Sequence, residues 1–307
     1  MGAVRLNHIT KTYNNKSVVA VDDVSFEVQP GELFGLIGPD GAGKTSIFRM
    51  LTTLLLPDTG EATVDGYDIV KDYKMIRSRV GYMPGKFSLY QDLTVEENLR
   101  FFATVFDTTI EANYELIKDI YIQIEPFKER RAGKLSGGMK QKLALSCALI
   151  HKPTVLFLDE PTTGVDAVSR KEFWDMLKRL KMQGITVLVS TPYMDEATLC
   201  DRIALIQSGK ILSIDTPRAI VNAYGEQIYA LRASNMYRLL NDLRASEYVK
   251  SCYAFGEYLH TTLKQDNETT RNELMMQLRS RQHEQLEMKP TEAGIEDCFI
   301  KLLVQPV

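Results

Sequence analysis

The sequence predicts an α/β fold built around a phosphate-binding loop, followed by a small α+β domain. Residues 38–45 fit the pattern G-x-x-x-x-G-K-[ST] without a mismatch. The apolar run at residues 33–37 is suited to a buried parallel strand, and residues 46–51 are suited to a helix. A second apolar run, residues 154–158, is followed by two carboxylates, which places an acidic pair at the carboxyl edge of the same sheet.

The loop contains the residue types that bind nucleotide phosphates. Its glycines let the backbone turn tightly and bring N–H groups against phosphate oxygens. Lys44 can reach the outer phosphates as a point charge, and the Thr45 hydroxyl can ligate Mg²⁺. The alternative is a glycine-rich turn before an ordinary helix; the complete match favours the phosphate site. The residues expected to contact nucleotide are Gly38, Pro39, Asp40, Gly41, Ala42, Gly43, Lys44, Thr45 and Ser46.

Tyr13 is a candidate for contact with a base. Residues 4–9 and 18–28 alternate in the manner of strands, and we interpret the polar stretch around Tyr13 as the loop between them. An aromatic side chain ahead of a phosphate-binding loop can stack on a purine ring. The alternative is a tyrosine that packs on its own sheet; the presence of the phosphate-binding loop favours stacking.

The acidic pair has residue types suited to metal binding and proton transfer. Asp159 is placed to hold Mg²⁺, directly or through water. Glu160 is placed to polarise an attacking water. Because Pro161 follows, the alternative is a pair that caps a helix; the matched phosphate-binding loop favours the metal site.

A helical insertion is predicted at about residues 85–134. Thr94 and Glu97 form a capping-box pattern at the start of one helix, and residues 110–126 predict another. Two interpretations of its aromatic residues stay open: an exposed surface that faces another protein, or local core packing. The aromatic residues concerned are Phe87, Tyr90 and Phe102.

A second anion site is predicted at the start of another helix. Ser136 can cap this helix, and Gly137 and Gly138 leave its first N–H groups bare. Two phosphate-facing helix termini in one chain are consistent with a second site that serves nucleotide held by another subunit.

Together these residues resemble the nucleotide-binding subunit of an ATP-binding-cassette (ABC) transporter, over about residues 4–220. Residues 38–45 resemble Walker A, 135–139 the family signature, 155–159 Walker B, and 164–166 the D-loop. The resemblance implies an ABC-type ATPase with ATP and Mg²⁺ as ligands, built as a P-loop NTPase cassette with a mixed sheet, an antiparallel β subdomain and a helical insertion. It also implies that Tyr13 stacks on adenine, that Thr45 and Asp159 hold Mg²⁺, and that Glu160, Asp166 and Ser136 take part in catalysis.

The resemblance also implies partners. Such cassettes pair head to tail with a second ABC ATPase domain, so that ATP lies between the Walker A of one and the signature of the other. Residues 81–84 and 88–99 are similar to ATPases of ABC-2-type bacterial exporters, which implies permease subunits in the membrane. The segments at residues 38–40, 135–142 and 295–300 are similar to one half of a multidrug-type tandem ATPase. Pairing with an identical or a different cassette stays open.

Two positions depart from the family pattern. Gly85 stands where the family has the Q-loop glutamine, and Pro192 stands where it has the switch histidine. Proline has neither a side-chain donor nor a backbone N–H. We therefore expect this chain's own site to bind ATP and to hydrolyse it slowly.

The composition of the chain bears on nucleic-acid binding, membrane insertion and disulfide formation. Lys plus Arg number 37 and Asp plus Glu number 40, and the net charge of −3 gives no indication of nucleic-acid binding. No run of 18 apolar residues occurs, so we expect a cytoplasmic protein that is peripheral on the inner face of the membrane through the permease. The scattered cysteines predict buried free thiols. They are Cys147, Cys200, Cys252 and Cys298.

The predicted domains are residues 1–217, the nucleotide-binding domain, and 218–307, an accessory domain for dimerisation or regulation. The latter follows the order β-α-β-β-α-β of a ferredoxin-like sandwich, with its last strand at 284–288, and then a closing helix. His260 and His283 are interpreted as isolated surface residues.

Two alternative functions remain from the sequence. A soluble ABC ATPase acting on nucleic acid or ribosomes would need basic arms, a coiled-coil insert or two cassettes, which this sequence lacks. An ATP-gated structural or regulatory subunit with little turnover is consistent with Gly85 and Pro192.

Overall fold

The computed structural model describes residues 2–304. These residues divide into two compact units, the first ending at Arg218 and the second beginning at Ala219. Each unit has its own sheet structure and hydrophobic core.

The first unit contains two sheets. Its strands are β1 (Val4–Tyr13), β2 (Val18–Val28), β3 (Leu33–Ile37), β4 (Thr59–Val64), β5 (Tyr67–Asp68), β6 (Val80–Met83), β7 (Val155–Asp159), β8 (Thr186–Thr191), β9 (Arg202–Gln207) and β10 (Lys210–Asp215).

The larger sheet has the order β10-β9-β3-β8-β7-β6, and the smaller one has the order β2-β1-β4-β5. The larger sheet is parallel except for the antiparallel pairing of β10 with β9, and the smaller one is antiparallel. Strands β3, β7 and β8 are buried along their whole length, as their apolar composition requires. The loops that follow these neighbouring parallel strands meet at one edge of the sheet, where ligands bind in open α/β folds.

Helices flank this sheet. They are α1 (Lys44–Leu51), α2 (Tyr73–Arg79), α3 (Val95–Val105), α4 (Tyr114–Tyr121), α5 (Gly137–Leu149) and α6 (Ala167–Met182), and α7 (Pro217–Asn222) crosses the boundary between the units.

The core of the first unit joins its two sheets and fixes α1. Phe26 of the smaller sheet stacks on Phe34 of β3, with ring centroids 5.3 Å apart. Phe48 of α1 meets Phe157 of β7 edge to face at 5.7 Å. All four rings are buried, so the helix that follows the phosphate-binding loop is anchored on the strand that ends in Asp159.

The helical insertion contains α3 and α4, as the sequence predicts. The predicted capping box is present: Glu97 N–H donates to Thr94 Oγ1 at 3.1 Å, and Thr94 N–H donates to Glu97 Oε2 at 2.7 Å. Of the three aromatic residues whose interpretation was open, Tyr90 is exposed, whereas Phe87 and Phe102 are half-buried. These two rings line an apolar groove of about 570 Å³.

The second unit has a sheet of order β12-β13-β11-β14, antiparallel throughout. With the helices, this gives the split βαβ arrangement that is predicted. The predicted last strand was misplaced by three residues, since it runs from Glu287 to Thr291. The elements are β11 (Ile228–Arg232), α8 (Met236–Arg244), β12 (Val249–Phe255), β13 (Tyr258–Leu263), α9 (Glu268–Ser280), β14 (Glu287–Thr291) and α10 (Ile295–Val304).

The interpretation of the two histidines as isolated surface residues is wrong. His260 Nδ1 lies 2.8 Å from Asp297 Oδ1, and His283 Nε2 lies 2.8 Å from Asp242 Oδ2. The His283 side chain is only 1% exposed. Each ring is held by a carboxylate that lies far from it in sequence.

The four cysteines are free and buried, as predicted. Burial raises the pKa of the Cys147 thiol, which makes it a poor nucleophile. Within residues 2–304, no helix combines the length and the apolar character needed to cross a bilayer.

Candidate nucleotide-binding site

The phosphate-binding loop connects the end of β3 to the start of α1, and two of its glycines are required by close backbone contacts. A Cβ on Gly38 would lie 2.2 Å from the carbonyl oxygen of Ile206. A Cβ on Gly43 would lie 2.2 Å from the carbonyl oxygen of Ala20, and Gly43 has a φ of +105°. The loop therefore keeps its shape only with glycine at both positions.

Lys44 is the first residue of α1 and is only 2% exposed. Its ammonium donates to the carbonyl oxygens of Gly38 at 2.8 Å and Pro39 at 3.0 Å. It also pairs with Glu160 Oε1 at 3.2 Å. The ammonium is thus held inside the curve of the loop, where a phosphate would be bound.

An open cavity of about 410 Å³ lies over this loop. Its size is within the range of small-ligand sites, about 300–1,000 Å³. It is lined by Ala20, Asp40, Gly41, Ala42, Gly43, Lys44, Thr45, Ser46 and Glu160.

Tyr13 lies beside the loop but is not in a loop itself. Strand β1 continues to Tyr13, which pairs with Val18 of β2, so the sequence interpretation was wrong on this point. Its hydroxyl lies 3.1 Å from Ser46 Oγ. This contact places the half-buried ring next to the start of α1, although Tyr13 does not line the cavity.

Asp159 is the last residue of β7 and is 3% exposed. Ser190, on the neighbouring strand β8, donates its hydroxyl to Asp159 Oδ1 at 2.5 Å. Burial, and next the charge of Asp159, raise the pKa of Tyr82 to about 12. The second carboxylate oxygen receives no hydrogen bond from the part of the chain that the structure describes.

Glu160 follows with a left-handed backbone, φ +50°. This conformation costs free energy in a residue other than glycine, and residues that adopt it concentrate at functional sites. The Glu160 N–H donates to the carbonyl oxygen of Ser190 at 3.0 Å and to its Oγ at 3.1 Å. These bonds hold the turn that brings the Glu160 carboxylate to Lys44.

The alternative role of Asp159 and Glu160 as helix caps is wrong. The next helix, α6, begins at Ala167, and its cap is Asp166. Asp166 Oδ1 accepts from the N–H groups of Val168 and Ser169 at 3.1 and 3.0 Å. The pKa of Asp166 is below its ordinary value, first because of the bond from the Ser169 backbone and next because of the Ser169 side chain.

The two positions that depart from the family pattern adjoin the carboxylates. A Cβ on Gly85 would lie 3.1 Å from the carbonyl oxygen of Asp159 and 3.7 Å from Glu160 Cβ. Pro192 directly follows β8, two residues after Ser190. Both are therefore in the segments from which a polar side chain would reach the acidic pair.

A buried carboxylate that sequence reasoning missed, Glu196, joins three segments near the site. It is 1% exposed and accepts from Thr162 Oγ1 at 2.7 Å and Thr191 Oγ1 at 2.5 Å. Arg170 Nε lies 3.2 Å from its Oε1. Glu196 thus ties the segment after Glu160 to the end of β8 and the start of α6.

The second predicted anion site, at the start of α5, is separate from this cavity. Ser136 caps α5 by accepting from Met139 N–H at 3.4 Å. A Cβ on Gly137 would lie 3.4 Å from the Gly164 carbonyl oxygen, and one on Gly138 would lie 2.8 Å from Ser169 Oγ. The lining of the cavity includes neither these residues nor Asp166, so among residues 2–304 the signature and the phosphate-binding loop do not line one cavity.

This fold and site define a nucleotide-binding protein of the phosphate-loop class. Residues 21–163 match the family model described as ABC transporter. The Nod factor export ATP-binding protein I of Rhizobium sp. (strain N33) is 36% identical over 304 residues, which cover 98% of this chain and 96% of that protein. The chain therefore belongs to the family of ABC transporter ATP-binding proteins, and its first unit is an ABC ATPase domain. The resemblance inferred from the motifs is confirmed.

Other similar proteins have names from the same family. The probable multidrug ABC transporter ATP-binding protein YbhF of Escherichia coli (strain K12) is 44% identical over 219 residues, which cover 71% of this chain. The match spans only 38% of that relative. A solved ATP-binding subunit of an ABC transporter has a TM-score of 0.65 at 27% identity and covers 73% of this chain and 93% of its own. A dimeric ATP-binding cassette in a post-hydrolysis state, bound to ADP and Pi, has a TM-score of 0.63 at 25% identity, covering 69% and 98%.

Proposed function

We propose that this chain is the ATP-binding subunit of an ABC exporter and that it binds MgATP in the cavity over the phosphate-binding loop. The observation that carries this proposal is the position of the Lys44 ammonium, between the loop carbonyl oxygens and the Glu160 carboxylate. It is a buried cation at the start of a helix, next to glycines that admit no side chain.

The residues around the phosphate-binding loop are suited to a nucleoside triphosphate. Glycine at positions 38 and 43 lets the loop pack against the backbone of Ile206 and Ala20 and so keep the curved shape that phosphate-binding loops need. Lys44 supplies a charge for the outer phosphates. Tyr13, held against Ser46, is the candidate for stacking on the base.

The donor set also fits Mg²⁺, which prefers oxygen ligands and is bound by few carboxylates. Thr45 supplies a hydroxyl at the cavity, and the carboxylate of the buried Asp159 is oriented by the Ser190 hydroxyl. Bound Mg²⁺ would neutralise part of the phosphate charge.

Glu160 is the proposed base for the attacking water. Its turn is fixed by Ser190, and its carboxylate faces the cavity beside Lys44. Gly85 and Pro192 supply no polar side chain to this water, so we propose slow hydrolysis at this chain's own site. The alternative function, an ATP-gated regulatory or structural subunit with little turnover, is favoured by the same two residues.

A second cassette, identical or different, is the proposed partner for the signature. Helix α5 begins with Ser136, Gly137 and Gly138, which do not line the cavity. Its start lies beside the segment that leads to Asp166. The first N–H groups of a helix and the helix dipole suit the phosphates of nucleotide held by a partner. The dimeric arrangement of the similar cassette supports this pairing.

ABC-2-type permease subunits are the proposed membrane partners, and the chain would then be cytoplasmic and peripheral on the inner face of the membrane. The export names of the relatives support this role. The apolar groove that Phe87 and Phe102 line, together with Pro84, Val105 and Phe106, lies directly after β6 and offers a surface for a helix from such a subunit.

Binding of radiolabelled ATP by equilibrium dialysis tests the proposal. Lys44→Met keeps most of the apolar stem but removes the charge, and we expect the affinity to fall by about 100-fold, which is about 2.7 kcal/mol. Lys118→Met, at an exposed helix position, is the matched control and should bind as the unaltered chain does. Equal ATP affinity for Lys44→Met and Lys118→Met would refute this site.

A further inference from the structure

A cavity of about 350 Å³ lies within the second unit, apart from any residue assigned to nucleotide. Its floor is the face of β12 and β13 that carries Ser251, His260 and Thr262. Tyr224 and α10, through Lys301, form a wall. The volume is sufficient for a small organic ligand.

Two lysines in this cavity share a single carboxylate. Glu226 Oε2 lies 3.0 Å from the Lys250 ammonium, and Oε1 lies 2.5 Å from the Lys301 ammonium. Burial acts to raise the pKa of Glu226, but the hydrogen bonds from both lysines hold this pKa below its ordinary value. Lys301 also donates to the Tyr224 carbonyl oxygen. An ammonium has several N–H donors, and Glu226 and this carbonyl oxygen together do not occupy all those of the two lysines.

The other carboxylate in the cavity is already engaged. Asp297 Oδ1 meets His260 Nδ1 at 2.8 Å, and Oδ2 accepts from Gly294 N–H at 2.8 Å. Arg244 adds a further cation, whose Nε donates to the Cys252 carbonyl oxygen at 3.4 Å. The cavity therefore has an excess of donors and cations over free acceptors.

The remaining wall is apolar. Ile228 and Val249 are buried beside the cavity, and the Tyr224 ring lies 4.6 Å from the Lys301 ammonium. A bound molecule would thus meet cations at one end and hydrocarbon along its body.

We propose that the second unit binds a small organic carboxylate in this cavity. The carboxylate of the ligand accepts hydrogen bonds from Lys250 and Lys301 and partly replaces Glu226 as their partner. The apolar body of the ligand packs against Tyr224 and Val249. Inorganic anions lack the apolar body, and neutral molecules of the same shape lack the acceptor charge.

Benzoate is the probe that tests this site, by isothermal titration calorimetry on the full chain. A saturating non-hydrolysable ATP analogue keeps the phosphate-binding loop occupied. We expect saturable benzoate binding, with benzamide and inorganic phosphate each weaker by about tenfold or more. An absence of saturable binding, or equal binding of benzamide, would overturn the proposal, and phosphate as tight as benzoate would reduce it to an unspecific anion site.

Variants expected to weaken and to strengthen benzoate binding distinguish an effect on ligand recognition from damage to the fold. Lys250→Gln with Lys301→Gln should weaken benzoate binding by about tenfold or more. Glu226→Gln should strengthen it by about threefold, because a neutral amide competes less well than a carboxylate for the two ammonium groups, whereas damage to the fold would weaken it. Lys289→Gln, in the same unit but outside the cavity, is the control and should leave the affinity unchanged. Weaker binding by Glu226→Gln would contradict the proposal.

Discussion

The Lys44 ammonium lies 3.2 Å from Glu160 Oε1. One residue begins the helix after β3, and the other directly follows β7, so the pair joins the loops after two strands of one sheet. In the proposed function, these are the phosphate-binding cation and the water-polarising base. Loss of the Glu160 charge should therefore reduce ATP cleavage without weakening ATP binding.

Glu160→Gln should separate the two activities. The substitution keeps the shape of the side chain and releases Lys44 from its ion pair, so ATP affinity should stay the same or rise. Cleavage, measured with radiolabelled ATP over long incubations, should fall by about 100-fold, since the base is lost. Glu115→Gln, whose side chain is exposed, controls for the change in charge. Unchanged cleavage in Glu160→Gln would remove Glu160 from the mechanism.

Ser190→Ala should remove hydrogen bonds that hold Asp159 and Glu160 in place. The hydroxyl donates to Asp159 and accepts from the Glu160 N–H, so its loss leaves buried groups with fewer partners. We expect the free energy of unfolding to fall by about 1–3 kcal/mol. We also expect a higher Mg²⁺ concentration for half-maximal ATP binding. Ser78→Ala, at an exposed helix position, should change neither; a Mg²⁺ requirement equal to that of the unaltered chain would argue against Asp159 as a ligand.

Glu196 and Asp195 offer a matched comparison, because both pair with Arg170. Glu196 is buried and accepts from two threonine hydroxyls besides its ion pair, whereas the Asp195 side chain is 74% exposed. Glu196→Ala should lower the free energy of unfolding in urea by about 3–5 kcal/mol. Asp195→Ala should lower it by about 1 kcal/mol or less, as exposed ion pairs do. Similar losses for the two variants would mean that the Glu196 network contributes little.

Gly85→Gln combined with Pro192→His should raise the rate of hydrolysis, by about tenfold or more, because each restores a polar side chain beside the acidic pair. The contact of 3.1 Å between a Cβ at position 85 and the Asp159 carbonyl oxygen requires a small shift of the loop. Gly85→Ala with Pro192→Ala makes the same backbone changes without polar groups, and its rate should remain low. A folded Gln and His variant with an unchanged rate would show that another residue positions the water.

Local patterns were sufficient to predict the phosphate-binding loop and the capping box, because the residues that make up each feature are close in sequence. Gly38 to Thr45 and the Thr94–Glu97 pair form from such neighbours, so their spacing predicts them. Tyr13 was misplaced because its strand is extended by pairing with Val18, which depends on the register of β1 and β2.

Glu196 and His283 were missed for a different reason. Glutamate is ordinarily exposed, and its burial here depends on Thr162 and Thr191, which only the fold brings to it. His283 likewise meets Asp242 from another element. The last strand was misplaced because Pro290 argues against a strand; β14 is an edge strand, where proline is tolerated.

Parallel measurements of ATP binding and ATP turnover on the purified chain test the central claim most directly. We expect the chain to bind MgATP through Lys44, with turnover far below the value of about 10 per second that is common among enzymes. Turnover near that value, abolished by Glu160→Gln, would contradict the account, because Gly85 and Pro192 would then not limit the site.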